Sequence, residues 1–149
     1  MQLTLYTDYS LRVLIYLGLK GGELATISEI AASYRISRNH LVKVVHNLAN
    51  QGFILTSRGK GGGMRLAAPA TEINLGEVVR HTEPGFSLVE CFDKDTSSCP
   101  IDGMCRLKKI LQDSSRVFMT ELERYTLADV IGNRQMLSER LQMPGMPHS

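Results

Sequence analysis

The sequence predicts a mainly α-helical chain with one small β-hairpin, and three observations carry that reading. Apolar residues recur at three- and four-residue spacing along much of the chain, the signature of a helix with one buried face. Thr, Ser and Asn stand just ahead of several of these runs, where a side-chain oxygen caps a helix. Two short strand-like runs flank Arg58-Gly59-Lys60-Gly61-Gly62-Gly63, a loop built to reverse direction.

Thr7-Asp8 is expected to cap a first helix running through Leu19, with Leu11, Leu14, Ile15 and Gly18 on one face and Lys20-Gly21-Gly22 ending it. Thr26 and Glu29, three apart, form a capping-box pattern that opens a short helix to about Tyr34. Arg35-Ile36 makes a tight turn. Ser37 then caps a third helix, Arg38 to about Asn50, whose Leu41, Val44, Val45 and Leu48 point inward. Two short helices across such a turn form a helix-turn-helix. Gly52 stops the third helix, Phe53–Thr56 reads as a strand, and Met64–Ala67 returns after the glycine-rich loop. A hairpin in that place is a wing, so the fold class is a winged helix-turn-helix. Asn74 caps a further helix through about Thr82. Pro84–Met104 is rich in turn formers, and a loop of that length is usually functional or disordered. From Cys105 to Tyr125 the residues Leu107, Ile110, Leu111, Val117, Phe118, Leu122 and Tyr125 make one apolar stripe, and Thr126 caps a last short helix, Leu127–Ile131. The tail from Gln142 carries two prolines and is expected to fray.

The organisation that follows is a DNA-binding domain over 1–83, a loop over 84–105, a dimerisation helix with a short terminal helix over 106–131, and a flexible tail over 132–149. A 21-residue amphipathic helix after a small winged domain has little core of its own to cover, which favours a homodimer. The alternative is that the helix packs on its own domain.

Charge separates the two halves. Residues 1–65 hold eight basic side chains against three acidic ones, and the remainder holds nine against twelve. The first half therefore suits a polyanion. The third helix, with Ser37 at its start, offers Arg38, Asn39 and His40 where such helices meet base edges in the major groove, and Lys43 further along for phosphate. Arg58, Lys60, Gly61 and Gly62 form a basic loop slim enough for a minor groove. Each piece alone is ordinary surface. Their order, helix, turn, helix and basic hairpin, points to double-stranded DNA.

No secretory signal is expected, and Leu11–Leu19 is far short of the roughly 20 apolar residues that span a bilayer. The chain reads as soluble and cytoplasmic, without a membrane role, in a compartment that keeps thiols reduced. Its three cysteines, Cys91, Cys99 and Cys105, all fall in the polar loop. An odd cluster of thiols there reads as a metal or redox site, and thiolates select zinc, copper or iron–sulfur clusters. The spacing is too long for paired zinc knuckles. Three thiolates can hold three irons of a cubane, with a fourth ligand from a partner chain. A thiol enzyme is disfavoured: no Cys-x-x-Cys pair exists, and His81 is the nearest histidine in sequence. A zinc-stabilised DNA-binding protein remains the rival reading.

The stretches Tyr6–Arg12, Ser37–Lys43, Arg58–Gly63, Leu88–Cys91, Cys105–Lys108 and Thr120–Asp129 closely resemble the NsrR-type repressors. These belong to the iron–sulfur winged-helix regulators that include IscR and RirA. The resemblance covers about residues 1–131. It implies a homodimeric repressor that senses nitric oxide through a 4Fe–4S cluster, with Cys91, Cys99 and Cys105 as ligands. It further implies that Asp8 donates an oxygen ligand from the partner protomer; read from the residues alone, Asp8 is an acid stabilised by a helix N-terminus. IscR-type proteins place histidine three residues after the last cysteine, and Lys108 stands there, which argues against their two-iron cluster. The seven-residue gap between Cys91 and Cys99 matches the iron-responsive RirA pattern, whereas the third helix and Tyr125–Asp129 follow NsrR.

Overall fold

The computed structural model describes residues 1–145. Among the described residues seven helices and one hairpin follow in order: α1 Leu5–Lys20, α2 Ile27–Tyr34, α3 Arg38–Asn50, β1 Ile54–Ser57, β2 Gly63–Leu66, α4 Leu75–Thr82, α5 Arg106–Leu122, α6 Leu127–Val130 and α7 Arg134–Arg140. Short 3-10 turns lie at Ala70–Glu72 and Glu90–Phe92.

α1 starts earlier than the sequence suggests. Thr4 is its cap and accepts a hydrogen bond from the Thr7 N–H at 3.3 Å. Thr7 is buried, with its hydroxyl 3.2 Å from that of Thr4, so Thr7 lies inside the first turn and Asp8 follows it there. α2 carries the full capping box: Glu29 N–H donates to the Thr26 hydroxyl and Thr26 N–H to the Glu29 carboxylate. It ends at Arg35, whose left-handed φ of 56° turns the chain into α3. Ser37 stands at the cap position of α3 as expected, but its hydroxyl makes no capping bond. Leu41, Val44, Val45 and Leu48 are buried, so the opposite face of α3 is left outside.

The hairpin pairs Ile54 with Leu66 and Ser57 with Gly63. The strands sit one residue off the expected bounds because Phe53 N–H is taken by Leu48 O, closing the end of α3. Ala25 and Met64 exchange both backbone bonds, at 3.0 and 2.8 Å, and this bridge ties the wing to the segment before α2.

α1 is the centre of the core: Val13, Leu14, Tyr16, Leu17 and Leu19 are buried, and they share one cluster with Ile30, Leu41, Leu48, Ile54, Met64, Val78, Leu127 and Ile131. The short terminal helix expected to accompany the dimerisation helix packs instead on this core. Leu127 N–H donates to Ile73 O and Leu75 N–H to Tyr125 O, so the chain returns to the winged domain after α5. α5 is different. Met119 is its one buried residue, while Leu107, Ile110 and Val117 are 60%, 58% and 69% exposed.

The expectation of a flexible tail from residue 132 gives way over 134–143. α7 forms there, Leu137 and Leu141 pack on the core, and Met143 is 0% exposed. The Arg134 guanidinium donates to Gly18 O and Leu19 O at 3.0 and 3.1 Å, answering the open carbonyls at the end of α1. Residues 146–149 of the expected tail lie outside the described residues. No helix among the described residues is long and apolar enough to cross a membrane.

Met143→Ala should destabilise the fold by about 2–4 kcal/mol in denaturant unfolding, as a buried large-to-small change does. Met136→Ala, at a 58% exposed position of α7, should cost no more than about 0.5 kcal/mol. Equal and negligible losses would mean that α7 does not close the core.

Candidate DNA interface and cysteine loop

The outward face of α3 begins with Ser37, Arg38, Asn39 and His40, all exposed, and continues through Lys43. Four buried apolar residues on the inner face fix the rotation of the helix, so the outer face is presented by packing. The wing places Arg58, Lys60 and Gly61 on its exposed tip. Gly62 is required there: a Cβ would lie 2.3 Å from Ser57 O, so no other residue keeps this turn closed. Among the described residues none of Arg38, Lys43, Arg58 and Lys60 pairs with a carboxylate, and these cations are available to an external anion. Sequence reasoning passed over Arg65, exposed on β2 beside the tip, and Arg35 in the turn before α3. Arg65 was legible as the outward residue of an alternating strand.

Asp8 lies on the first turn of α1, where Arg12 binds both its oxygens at 3.1 and 2.8 Å. The Arg12 guanidinium also stands 5.7 Å from the centre of the Tyr9 ring and 5.7 Å from that of Tyr34. Burial pushes the Tyr34 phenol up to about 12 despite the pull of Arg12, so that ring is neutral. Tyr9 in turn meets His40 at a ring separation of 6.1 Å.

The cysteines sit between the winged domain and α5, and none is in a disulfide. Cys91 and Cys105 are half-buried and Cys99 is exposed. Cys105 is the cap of α5, its sulfur accepting the Lys108 N–H at 3.4 Å. Lys108 binds Asp102 at 2.6 Å, and Asp102 is held by the turn in which its own N–H reaches Cys99 O. The Lys108 ammonium is raised above its ordinary value, first by the bond to Asp102 and then by the charges of Asp102, Cys91 and Cys105. Asp102 is lowered, chiefly by Lys108. Among the described residues no three His, Cys, Asp or Glu side chains stand close enough to hold a metal ion.

The donor set nevertheless fits a thiolate-held group in its chemistry. Three soft thiols share one loop, the start of a 17-residue helix offers positive potential at Cys105, and Lys108 adds a cation beside two of the sulfurs. Cys91 and Cys105 thus lie near enough to Lys108 for their charges to act on it, and Cys99 is the exposed one of the three. Asp8 is not brought to it within one chain. The Asp102–Lys108 pair was not read from the sequence, because a six-residue separation across a turn and a helix start has no simple period.

A family model described as Rrf2, iron-dependent transcriptional regulator, matches residues 3–133. The HTH-type transcriptional regulator NsrR of Bacillus subtilis (strain 168) is 46% identical over 144 residues, spanning 96% of this chain and 99% of that one. The protein of the same name from Oceanobacillus iheyensis is 50% identical over 138 residues, spanning 92% and 94%. Among solved structures, T. potens IscR aligns with a TM-score of 0.71 at 17% identity, covering 100% of this chain and 94% of that one. CymR, the global cysteine regulator of B. subtilis, gives 0.71 at 24% identity, covering 89% and 98%. These two likenesses establish the winged-helix fold.

Because Asp102 is lowered by its partner, the ion pair's contribution is complete above the ordinary carboxylate value and is lost as pH falls through the lowered one. An NMR titration of metal-free chain should place Asp102 below the ordinary range, and Lys108→Ala should return it there. An Asp102 that titrates normally in both chains removes the buckle between loop and helix.

Proposed function

Because the chain belongs to the Rrf2 family of transcriptional regulators, among its NsrR-type members, we propose that it is a homodimeric repressor that releases operator DNA in response to nitric oxide through an iron–sulfur cluster. As a member of that family it is a DNA-binding transcriptional regulator and not an enzyme. The observation that carries the finer reading is the cysteine loop itself: three thiols outside any disulfide, joining the winged domain to a helix whose apolar stripe is exposed.

In this reading Cys91, Cys99 and Cys105 hold the cluster, and Asp8 of the partner subunit supplies the remaining ligand. A 4Fe–4S group, when bound, supplies irons that react with nitric oxide. Leu107, Ile110 and Val117 of α5 face the same residues of the second copy. The dimer sets the two α3 helices at the separation of successive major grooves, about 34 Å. Arg38, Asn39 and His40 meet base edges, Lys43 meets phosphate, and Arg58 and Lys60 enter the minor groove over Gly61 and Gly62. When the thiolate anchors are lost, the 84–105 loop and the start of α5 relax and the helices leave that spacing. A coupling of about 3 kcal/mol between loop state and DNA state suffices for a change of roughly 150-fold.

A second reading keeps the same site and changes the signal to iron. The iron-dependent description of the family and the long Cys91–Cys99 gap favour it.

Protein purified without oxygen should be brown, and nitric oxide should bleach it and release DNA together. Bleaching only by an iron chelator, with no response to nitric oxide, would select the iron reading. Colourless, zinc-loaded protein would remove the cluster from both.

Cys99→Ala should leave a folded dimer by sedimentation that no longer changes DNA affinity with cluster loading. Retention of that change would exclude Cys99 as a ligand. Replacing Arg58 and Lys60 together by alanine should reduce the slope of log affinity against log salt by roughly 2, at about 0.9 per phosphate contact. An unchanged slope would take the wing off the DNA.

A further inference from the structure

Arg12 is spent three times over. Its Nε and Nη2 bind the two oxygens of Asp8, and its Cζ stands 5.7 Å from the ring centres of both Tyr9 of α1 and Tyr34 of α2. The Tyr34 side leads inward, to the buried Tyr16 at a ring separation of 6.5 Å. The Tyr9 side leads outward, to His40 in the first turn of α3. Tyr34 is also the last residue of α2, directly before the strained Arg35 turn that aims α3. A single planar cation therefore joins the core, the turn and a DNA-facing side chain. Lysine, a point charge without a flat face, does not make these contacts at once.

We propose that Arg12 is a positioning residue for sequence reading: through Tyr9 and Tyr34 it fixes the ring of His40 and the first turn of α3 against the bases. This rests on the reading of that turn as the base-facing end. Arg12 touches no DNA in this arrangement. It acts on which bases are preferred, leaving the phosphate contacts of Lys43 and the wing in place.

The test uses the full-length, cluster-loaded chain and a library of randomised duplexes, comparing base preferences of the unchanged chain with those of His40→Ala, Arg12→Ala, Arg12→Lys and Tyr9→Leu. His40→Ala identifies the base pairs that depend on the ring. Arg12→Ala and Tyr9→Leu should flatten preference at the same base pairs, each about tenfold, the discrimination carried by one base contact. The salt slope should stay unchanged, and Arg12→Lys should not restore preference. Tyr9→Leu removes no atom of Asp8 or Arg12, and iron content and melting temperature, read alongside for every variant, report any effect that comes through Asp8 or the fold. If His40→Ala flattens preferences and the other variants do not, the inference is overturned and base reading by α3 stands. A silent His40→Ala overturns both. A uniform loss over all sequences in Arg12→Ala and Tyr9→Leu reduces Arg12 to a structural part and also overturns it.

Discussion

Val13, Leu14, Tyr16, Leu17 and Leu19 of α1 give up almost all their surface to the rest of the molecule, and most of the other elements take their places from them. Each such side chain contributes about 1.5–3 kcal/mol when fully buried. α3, α4, β2 and α6 all pack on α1, and Arg134 of α7 closes its far end. Even Gly18 is part of this fit, since a Cβ there would stand 3.0 Å from the Ile131 side chain. The outer face of α3 is turned to solvent because its inner face is committed to this helix. The proposed DNA-reading surface is thus a by-product of core packing.

α5 obeys the opposite rule. It carries a stripe as apolar as any in the core and leaves most of it uncovered. At its end the Arg80–Glu123 ion pair, the Asn74 amide donating to Glu123 O and the buried Met119 tie it to the winged domain, while the Asp102–Lys108 pair ties its start to the cysteine loop. An element fastened at both ends, with Leu107, Ile110 and Val117 exposed between them, offers the apolar surface that the proposed dimer would cover. The cysteine loop lies at the fastened start, where a change in the loop is felt by the helix directly.

Much of this was legible in the sequence. The capping box at Thr26 and Glu29, the inward set of α3, the Asn74 cap and the glycine-rich tip have local signatures that tertiary packing did not override. The start of α1 was misread because Thr4 and Thr7 are both competent caps, and only the burial of Thr7 decides between them. α7 was missed because two prolines nearby suggested fraying, whereas Leu137, Leu141 and Met143 find a core assembled from the other end of the chain. The site divides in the same way. Cysteine spacing is visible along the chain, as is the helical spacing of Asp8, Tyr9 and Arg12, but the Arg12–Tyr34 contact and the Asp102–Lys108 pair join residues whose proximity no period encodes.

The return of the chain to α1 after α5 bears on how the molecule is made. Leu127, Ile131 and Met143 are core residues more than a hundred positions downstream of the helix they cover. On a ribosome, the core around α1 lacks these members when the first 83 residues have emerged. It waits until the cysteine loop and α5 are outside as well. The thiols therefore emerge before the core that orients α3 is complete, and contacts of such long sequence separation make the final closure slow. Synthesis thus puts the cysteine loop in solvent ahead of the finished core, and Cys99 is still exposed once the fold is complete.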